Sequence, residues 1–404
     1  MTNPKSKITK VNIGGPLAPF ADLYRSRLQQ SGYTPLSIVN ELRQLAHLSR
    51  WLEEGRLTGS DLTIERLQQY VELHRDRYGN RVRSLQGLSP LLEILDGQGI
   101  KRLSEQAVPH SPSDMMIASF KTYLLHERGL VPSTTESYVL RARRFLTWFA
   151  PTGQVASLSA RDVTDAVLRE SASVSVGATQ LFVVALRSFL RFCFIEGLMP
   201  TDLSAAAPSL TGRRHAPLPK GIGGNAAEAL LRSCDKRRSQ GRRDYAIVLI
   251  LVRLGLRSSE VAGLSLDDID WRAGEIVVRG KGRREDRLPL PSDVGGAIAA
   301  YLQRGRPKTT DRAVFLRFLA PIGPLGRGGI ATAVRRACKR ANLPPIGPHR
   351  LRHTLACEMV GAGVPLPEIA QALRHRGISS SSIYARVDIE GLRALAQPWP
   401  GSVA

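Results

Sequence analysis

Cysteine is scarce in this 404-residue chain: Cys193, Cys234, Cys338 and Cys357 lie far apart, with no Cys-x-x-Cys pair. That spacing argues against a zinc ribbon and against a disulfide framework, so a reducing cytoplasm is expected. Long apolar runs are also missing. The most apolar stretch, Ala246 to Leu256, is too short to span a bilayer and contains Arg253. The N-terminus, Met-Thr-Asn-Pro-Lys-Ser-Lys-Ile-Thr-Lys, holds no apolar core of signal-peptide length, and no membrane segment is expected. Acidic residues are in deficit, 35 Asp plus Glu against 57 Lys plus Arg, for a formal charge of +22. A polyanionic partner is the simplest inference, and nucleic acid is the commonest one.

What is present reads as a mainly α chain of two or three domains. Residues 1 to about 17 form a loose basic tail. From Phe20 to about Leu95 apolar residues recur at helical spacing, as in Leu42, Leu45, Leu48 and Leu52 around Trp51, so residues 1–105 predict an N-terminal helical bundle. A connector near Gly97 to Pro112 follows. The next module repeats the first: Gly129, Pro132, Val139, Ala142, Phe145 and Trp148-Phe149 match Gly32, Pro35, Leu42, Leu45, Leu48 and Trp51-Leu52, each 97 positions on. Glycine, proline, tryptophan and the apolar spacing return together, which points to a duplicated helical module. Both copies continue toward a capped helix, at Leu62-Thr-Ile-Glu65 and at Leu158-Ser-Ala-Arg-Asp162. The second copy, 111–208, adds a helix at Ala178 to Phe194. Its Arg141, Arg143 and Arg144 suit either a groove along phosphates or a solvated helix face. An exposed basic linker, 209–220, leads to a third domain, 221–404. There Asn225 to Ser239, Arg243 to Gly255, Asp293 to Gln303 and Ile330 to Ala341 predict helices. Glu275 to Arg279 and Arg287 to Leu290 predict a small antiparallel sheet around Gly280-Lys281-Gly282.

The chemistry concentrates between Gly347 and Arg386. On a helix starting near His349, positions i and i+3 share a face, so His349 and Arg352 can point at one ligand. Gly361, Gly363 and Pro365 close that helix, and Leu366 to Leu373 predicts another that delivers His375, with Tyr384 nine residues later. A phosphodiester needs this mixture: cationic forks for the oxygens, a nucleophile for phosphorus and an acid for the leaving oxygen. Tyrosine can be that nucleophile through a covalent phosphotyrosyl intermediate. The plainer reading makes Tyr384 a half-buried helix residue and the histidines surface groups. Arg257 follows a buried helix, where its charge must face a cleft or be paired, and Glu260 can orient it. Lys281 at the hairpin tip can reach a DNA groove or a phosphate. The corresponding plain readings are an Arg257–Glu260 structural ion pair, a solvated Lys281 and a core histidine at His353.

Across about Ile117 to Leu395 the chain resembles the tyrosine recombinase, or phage integrase, family. Leu254-Gly-Leu-Arg257-Ser-Ser-Glu260 is similar to its first arginine box, Arg279-Gly-Lys281-Gly-Arg to its hairpin lysine, and Pro348-His349-Arg-Leu-Arg352-His353 to its His-x-x-Arg box. His375 and Tyr384 are similar to its closing histidine and nucleophile. The resemblance implies helical SAM-like core-binding bundles followed by a mostly helical catalytic domain. It implies that Arg257 and Arg352 clamp the scissile phosphate, His349 and His375 assist proton transfer, Lys281 is the general acid and Tyr384 forms a 3′-phosphotyrosyl bond, with Glu260 and His353 supporting. No metal, cofactor or ATP is implied. The expected partner is double-stranded DNA, bound by a tetrameric synapse of this chain with possible companion recombinases, in a bacterial, nucleoid-associated cytoplasmic setting. Two features depart from the pattern: Arg374 precedes His375 where the family often has glycine, and an additional N-terminal bundle is present. The second points to a mobile-element integrase. A non-catalytic DNA-binding paralogue and a type IB topoisomerase are the alternatives.

Overall fold

The computed structural model describes residues 11–62, 66–67, 69–70, 73, 85–97, 111–151, 154–209, 221–280, 285–374 and 384. Most of the basic tail, the cap at 63–65, the connector, most of the linker, Lys281 and His375 lie outside the described residues. The chain divides into two compact units, one of residues 1–49 with 217–404 and the other of 50–216.

The first helices are α1 (Ala21–Gln30) and α2 (Pro35–Glu54). Between them Gly32 takes φ +80°, a left-handed backbone natural to glycine, and the Tyr33 amide caps the Leu28 carbonyl. Pro35 starts α2 where no amide is needed. Tyr24, Leu28, Leu42, Leu45 and Leu48 are buried. The same turn meets the C-terminal part of this unit, where the Ile322 amide donates to the Ser31 carbonyl at 2.9 Å. A Cβ on Gly32 would lie 2.4 Å from Ile322 Cδ1.

The second unit holds α3 (Leu85–Gly97), α4 (Pro112–Thr122), α5 (Pro132–Phe149), α6 (Ala160–Ser171) and α7 (Val176–Ile195). The repeat shows in the helices, since α5 begins at Pro132 after a left-handed Gly129 just as α2 begins at Pro35 after Gly32. Ser159 and Asp162 cap α6 as expected, with the Ser159 amide donating to the carboxylate at 2.8 Å. In the first copy Thr58 and Asp61 make such a box ahead of the expected position. Among the described residues one helix, α7, is long and apolar enough to cross a membrane. Its Phe182, Leu186, Phe189 and Phe192 are buried with Phe120 and Phe145, which makes it the core helix of this bundle. Arg143 pairs with Asp114, and Arg144 pairs with Glu170 while lying over the Trp148 ring, so both arginines have structural partners.

The C-terminal part contains α8 (Gly224–Arg232), α9 (Ser239–Arg253), α10 (Ser258–Ala262), α11 (Ser292–Arg304), α12 (Arg327–Arg340), α13 (Pro348–Gly361) and α14 (Leu366–Ala372). Residues Ala246 to Leu251 of α9 are all buried at its centre. The predicted helix to Ser239 stops at Arg232 instead, because the Asp235 carboxylate accepts the Arg237 amide at 3.1 Å and turns the chain. Three antiparallel strands, β1 (Ile269–Asp270), β2 (Glu275–Arg279) and β3 (Glu285–Pro289), lie in sequence order. Val278 pairs with Asp286 and Ile276 with Leu288, so alternation turns Asp286 to the face of buried Val278.

Candidate active site

The turn that delivers Arg257 depends on a glycine. Gly255 adopts φ +56°, and a Cβ there would lie 2.9 Å from Leu355 Cδ2 and 3.0 Å from Leu373 Cδ2. Glycine therefore allows the chain leaving α9 to approach α13 and the end of α14. Arg352 secures the approach. Its side chain is buried, Nη1 donates to the Gly255 carbonyl at 2.6 Å, and Nη2 donates to the Leu373 carbonyl. Burial, then the charges of Arg257 and Arg374, lower its pKa to about 10.

Arg257 precedes α10 in extended backbone, and Glu260 lies one turn on. The buried Glu260 carboxylate accepts the Arg257 amide at 2.8 Å and its guanidinium at 2.7 Å. Arg374 donates to the same carboxylate at 3.0 Å. Burial alone would push the Glu260 carboxyl up, but the Arg257 amide and the Arg374 charge outweigh it and hold the group below its ordinary range. Arg257 keeps 40% of its side-chain area exposed, so its fork remains reachable from solvent.

His349, Arg352 and His353 share α13. Arg352 turns inward to the two carbonyls, whereas His349 sets its ring edge-on to His353 with centroids 4.4 Å apart. Enclosure of the His349 ring, then the Arg352 and Arg257 charges, lowers its pKa. His353 is lowered likewise, by burial and then by His349, Arg350 and Arg352. Its Nδ1 lies 2.8 Å from the Tyr384 hydroxyl. Tyr384 is 1% exposed and packs with Ala356, Val360, Ile369 and Leu373, so it is more deeply enclosed than a half-buried helix residue. Burial raises its pKa, and the Arg352 charge opposes that rise.

Arg257, Glu260, Arg352, His353 and Tyr384 are thus linked through shared contacts, with His349 beside His353. Lys281 and His375 lie outside the described residues. Three contributors escaped sequence reasoning: Gly255, Asp286 and Arg374 as a partner of Glu260. The available signal for Arg374 was a charge directly after the apolar Leu373.

Two family descriptions match: "Phage integrase family" over residues 222–390 and "Phage integrase, N-terminal SAM-like domain" over residues 117–197. Among curated proteins, the chain is 39% identical over 396 residues to "Putative integrase/recombinase y4rA" of Sinorhizobium fredii, covering 96% of this chain and 95% of that one. It is 29% identical to "Tyrosine recombinase XerD" of Mycobacterium tuberculosis, covering 71% of this chain and 97% of that one. Among solved structures, a XerH site-specific recombinase bound to a palindromic difH substrate is similar in fold, with TM-score 0.56, 18% identity, and coverage of 81% of this chain and 93% of that one. A Tn1549 transposon integrase with circular intermediate DNA gives TM-score 0.54, 19% identity, and coverage of 70% and 99%. With a relative this similar along nearly the whole chain and both descriptions falling in order, the chain belongs to the phage integrase family, the tyrosine recombinases, enzymes that cleave and rejoin DNA.

Proposed function

We propose that this chain is a site-specific integrase of a mobile element, with Tyr384 as the nucleophile that attacks the scissile phosphate and forms a 3′-phosphotyrosyl bond. The observation that carries the assignment is the Tyr384 hydroxyl 2.8 Å from His353 Nδ1, with Arg352 on the same helix. The depressed pKa of His353 keeps its imidazole neutral near pH 7, so Nδ1 can accept the phenol proton in the tautomer protonated at Nε2. Arg257 and Arg352 hold the non-bridging oxygens as charge builds, and His349 donates to the same phosphate. Lys281 protonates the departing 5′-oxygen, which leaves as a hydroxyl, and His375 completes the set. Because the phosphotyrosyl bond conserves the phosphodiester energy, rejoining needs neither ATP nor metal.

The double-stranded DNA partner fits the formal charge of +22 and the DNA complexes named among proteins of similar fold. The y4rA name supports the mobile-element setting. The working assembly is a tetrameric synapse of this chain on DNA, with room for companion recombinases, in the bacterial cytoplasm at the nucleoid. Residues 111–208 act as the core-binding domain, 209–220 as linker and 221–404 as catalytic domain. Residues 1–105 form an added module for DNA or protein contact.

The deciding experiment traps the covalent intermediate on a suicide DNA substrate. Wild type should yield an adduct and Tyr384→Phe none, with DNA binding retained; a normal adduct from the variant would refute the assignment. A truncation beginning near Ser111, measured for affinity across salt and for synapsis, tests the added module. If its contacts are to phosphates, the salt dependence should flatten by about 0.9 per contact removed. Unchanged affinity and synapsis would exclude both roles.

A further inference from the structure

Arg374 stands in an unfavourable backbone conformation with its charge buried. Its φ is +55°, in the left-handed region that glycine adopts freely and L side chains adopt at a cost. Its side chain nevertheless retains only 8% of its area exposed. Nη2 donates to Glu260 at 3.0 Å, the carboxylate that also holds both the amide and the guanidinium of Arg257. On its other side, Nε is buried, has no hydrogen-bond acceptor among the described residues, and faces Asp286 of β3 at 4.0 Å. That distance gives charge attraction without a hydrogen bond. Immediately before it, the Leu373 carbonyl accepts from Arg352. One residue therefore touches the partner of Arg257, faces the β2–β3 hairpin and adjoins the anchor of Arg352.

We propose that Arg374 is a positioning residue of the cleavage site, bracing Glu260, and through it Arg257, against the hairpin so that the Arg257 fork is held for the scissile phosphate. The inference rests on the cleavage reading given under Proposed function. The Arg374 guanidinium is committed to Glu260, so it acts through that carboxylate. Glycine at this position would relieve the backbone but remove the brace. A left-handed arginine is retained at a functional site when surrounding contacts over-determine it, as Glu260 and Asp286 do here.

The experiment compares Arg374→Gly, Arg374→Lys, Glu260→Gln and the double variant Arg374→Gly/Glu260→Gln in the full chain. It measures single-turnover adduct formation on suicide DNA, with DNA affinity and thermal midpoint in parallel. Arg374→Gly should keep DNA affinity and stay folded at the assay temperature yet lose about 10- to 100-fold in cleavage rate, by analogy with the loss when a group orienting a metal ligand is removed. Millimolar guanidinium should restore at least part of that rate, while tetramethylammonium at the same ionic strength should not. Arg374→Lys should recover less than the added guanidinium, since an ammonium lacks the planar fork. In the Glu260→Gln background the glycine substitution should cost little more, because the two act as one unit. Cleavage by Arg374→Gly within about threefold of wild type would overturn the proposal. So would a loss that tracks a fall in thermal midpoint and resists guanidinium, which would mark a structural role, or full additivity in the double variant. A wild-type chain that forms no adduct would overturn the cleavage reading, and this proposal with it.

Discussion

Replacing Arg352 by methionine should separate the two roles of a buried guanidinium. In the folded chain its nitrogens hold the Gly255 carbonyl at 2.6 Å and the Leu373 carbonyl, joining the turn before Arg257 to the end of α14. Each bond from a charged donor contributes about 1.5–3 kcal/mol. Against that, burial and the neighbouring arginine charges lower its pKa to about 10, which opposes the charged form by roughly 3 kcal/mol. Methionine forfeits the bonds, removes the buried charge and fills much of the volume, so the net stability loss should be only about 1–3 kcal/mol. The loss in chemistry should be larger. A guanidinium carries five N–H donors, and the two carbonyls leave others for phosphate oxygens whose charge grows in the transition state. Removing such a donor costs about 3 kcal/mol, or roughly a hundredfold or more in rate. Single-turnover adduct formation, DNA affinity and chemical denaturation on one preparation give all three quantities. A folded Arg352→Met variant that cleaves within about tenfold of wild type, roughly 1.4 kcal/mol, would refute the reasoning.

Tyr384→Phe should lose about 1 kcal/mol of stability with the His353 bond, on top of abolishing the adduct, and denaturation midpoints check the first part. His349 and His353 are both held below the ordinary histidine range, so the unfolded chain binds protons first as pH drops. Stability should therefore fall as pH descends from the ordinary histidine value through the depressed ones, and His353→Gln should flatten that slope; an unchanged slope would contradict the pairing. Glu260, held below its ordinary range, contributes stability above its unfolded-state pKa that is lost as pH falls through the depressed value. Glu260→Gln at neutral pH should cost about 3–5 kcal/mol, since it leaves two arginines without their shared carboxylate, and urea titration measures it. Gly32→Val should release the turn at Ser31, because the left-handed backbone alone costs about 1–2 kcal/mol and Ile322 occupies the Cβ position. Hydrogen exchange at the Ile322 amide should then quicken; an unchanged rate would count against the docking.

The sequence alone determined what local rules control. Glycine and proline mark the turns before α2 and α5, a 3.6-residue period selects the buried faces of both helices, and Ser159 with Asp162 announces the cap of α6. The closeness of Arg257 and Glu260, three residues apart on one turn, was legible in the same way, whereas the ordered set Arg257, Lys281, His349, Arg352, His375 and Tyr384 was read through the family resemblance. Helix ends set by a side chain were harder, as Asp235 shows by stopping α8 at Arg232. The tertiary structure decided which distant groups share a partner. Arg352 meets a carbonyl 97 residues away, Arg374 meets Glu260 across 114, and Tyr384 meets His353 across 31. No local pattern encodes such pairings, because they exist only once α9, α13 and α14 pack and Gly255 lets two backbones close on each other. Arg374 shows the difference most plainly: in the sequence it departs from a motif, whereas in the fold its backbone strain and buried charge are balanced by carboxylates from two other elements.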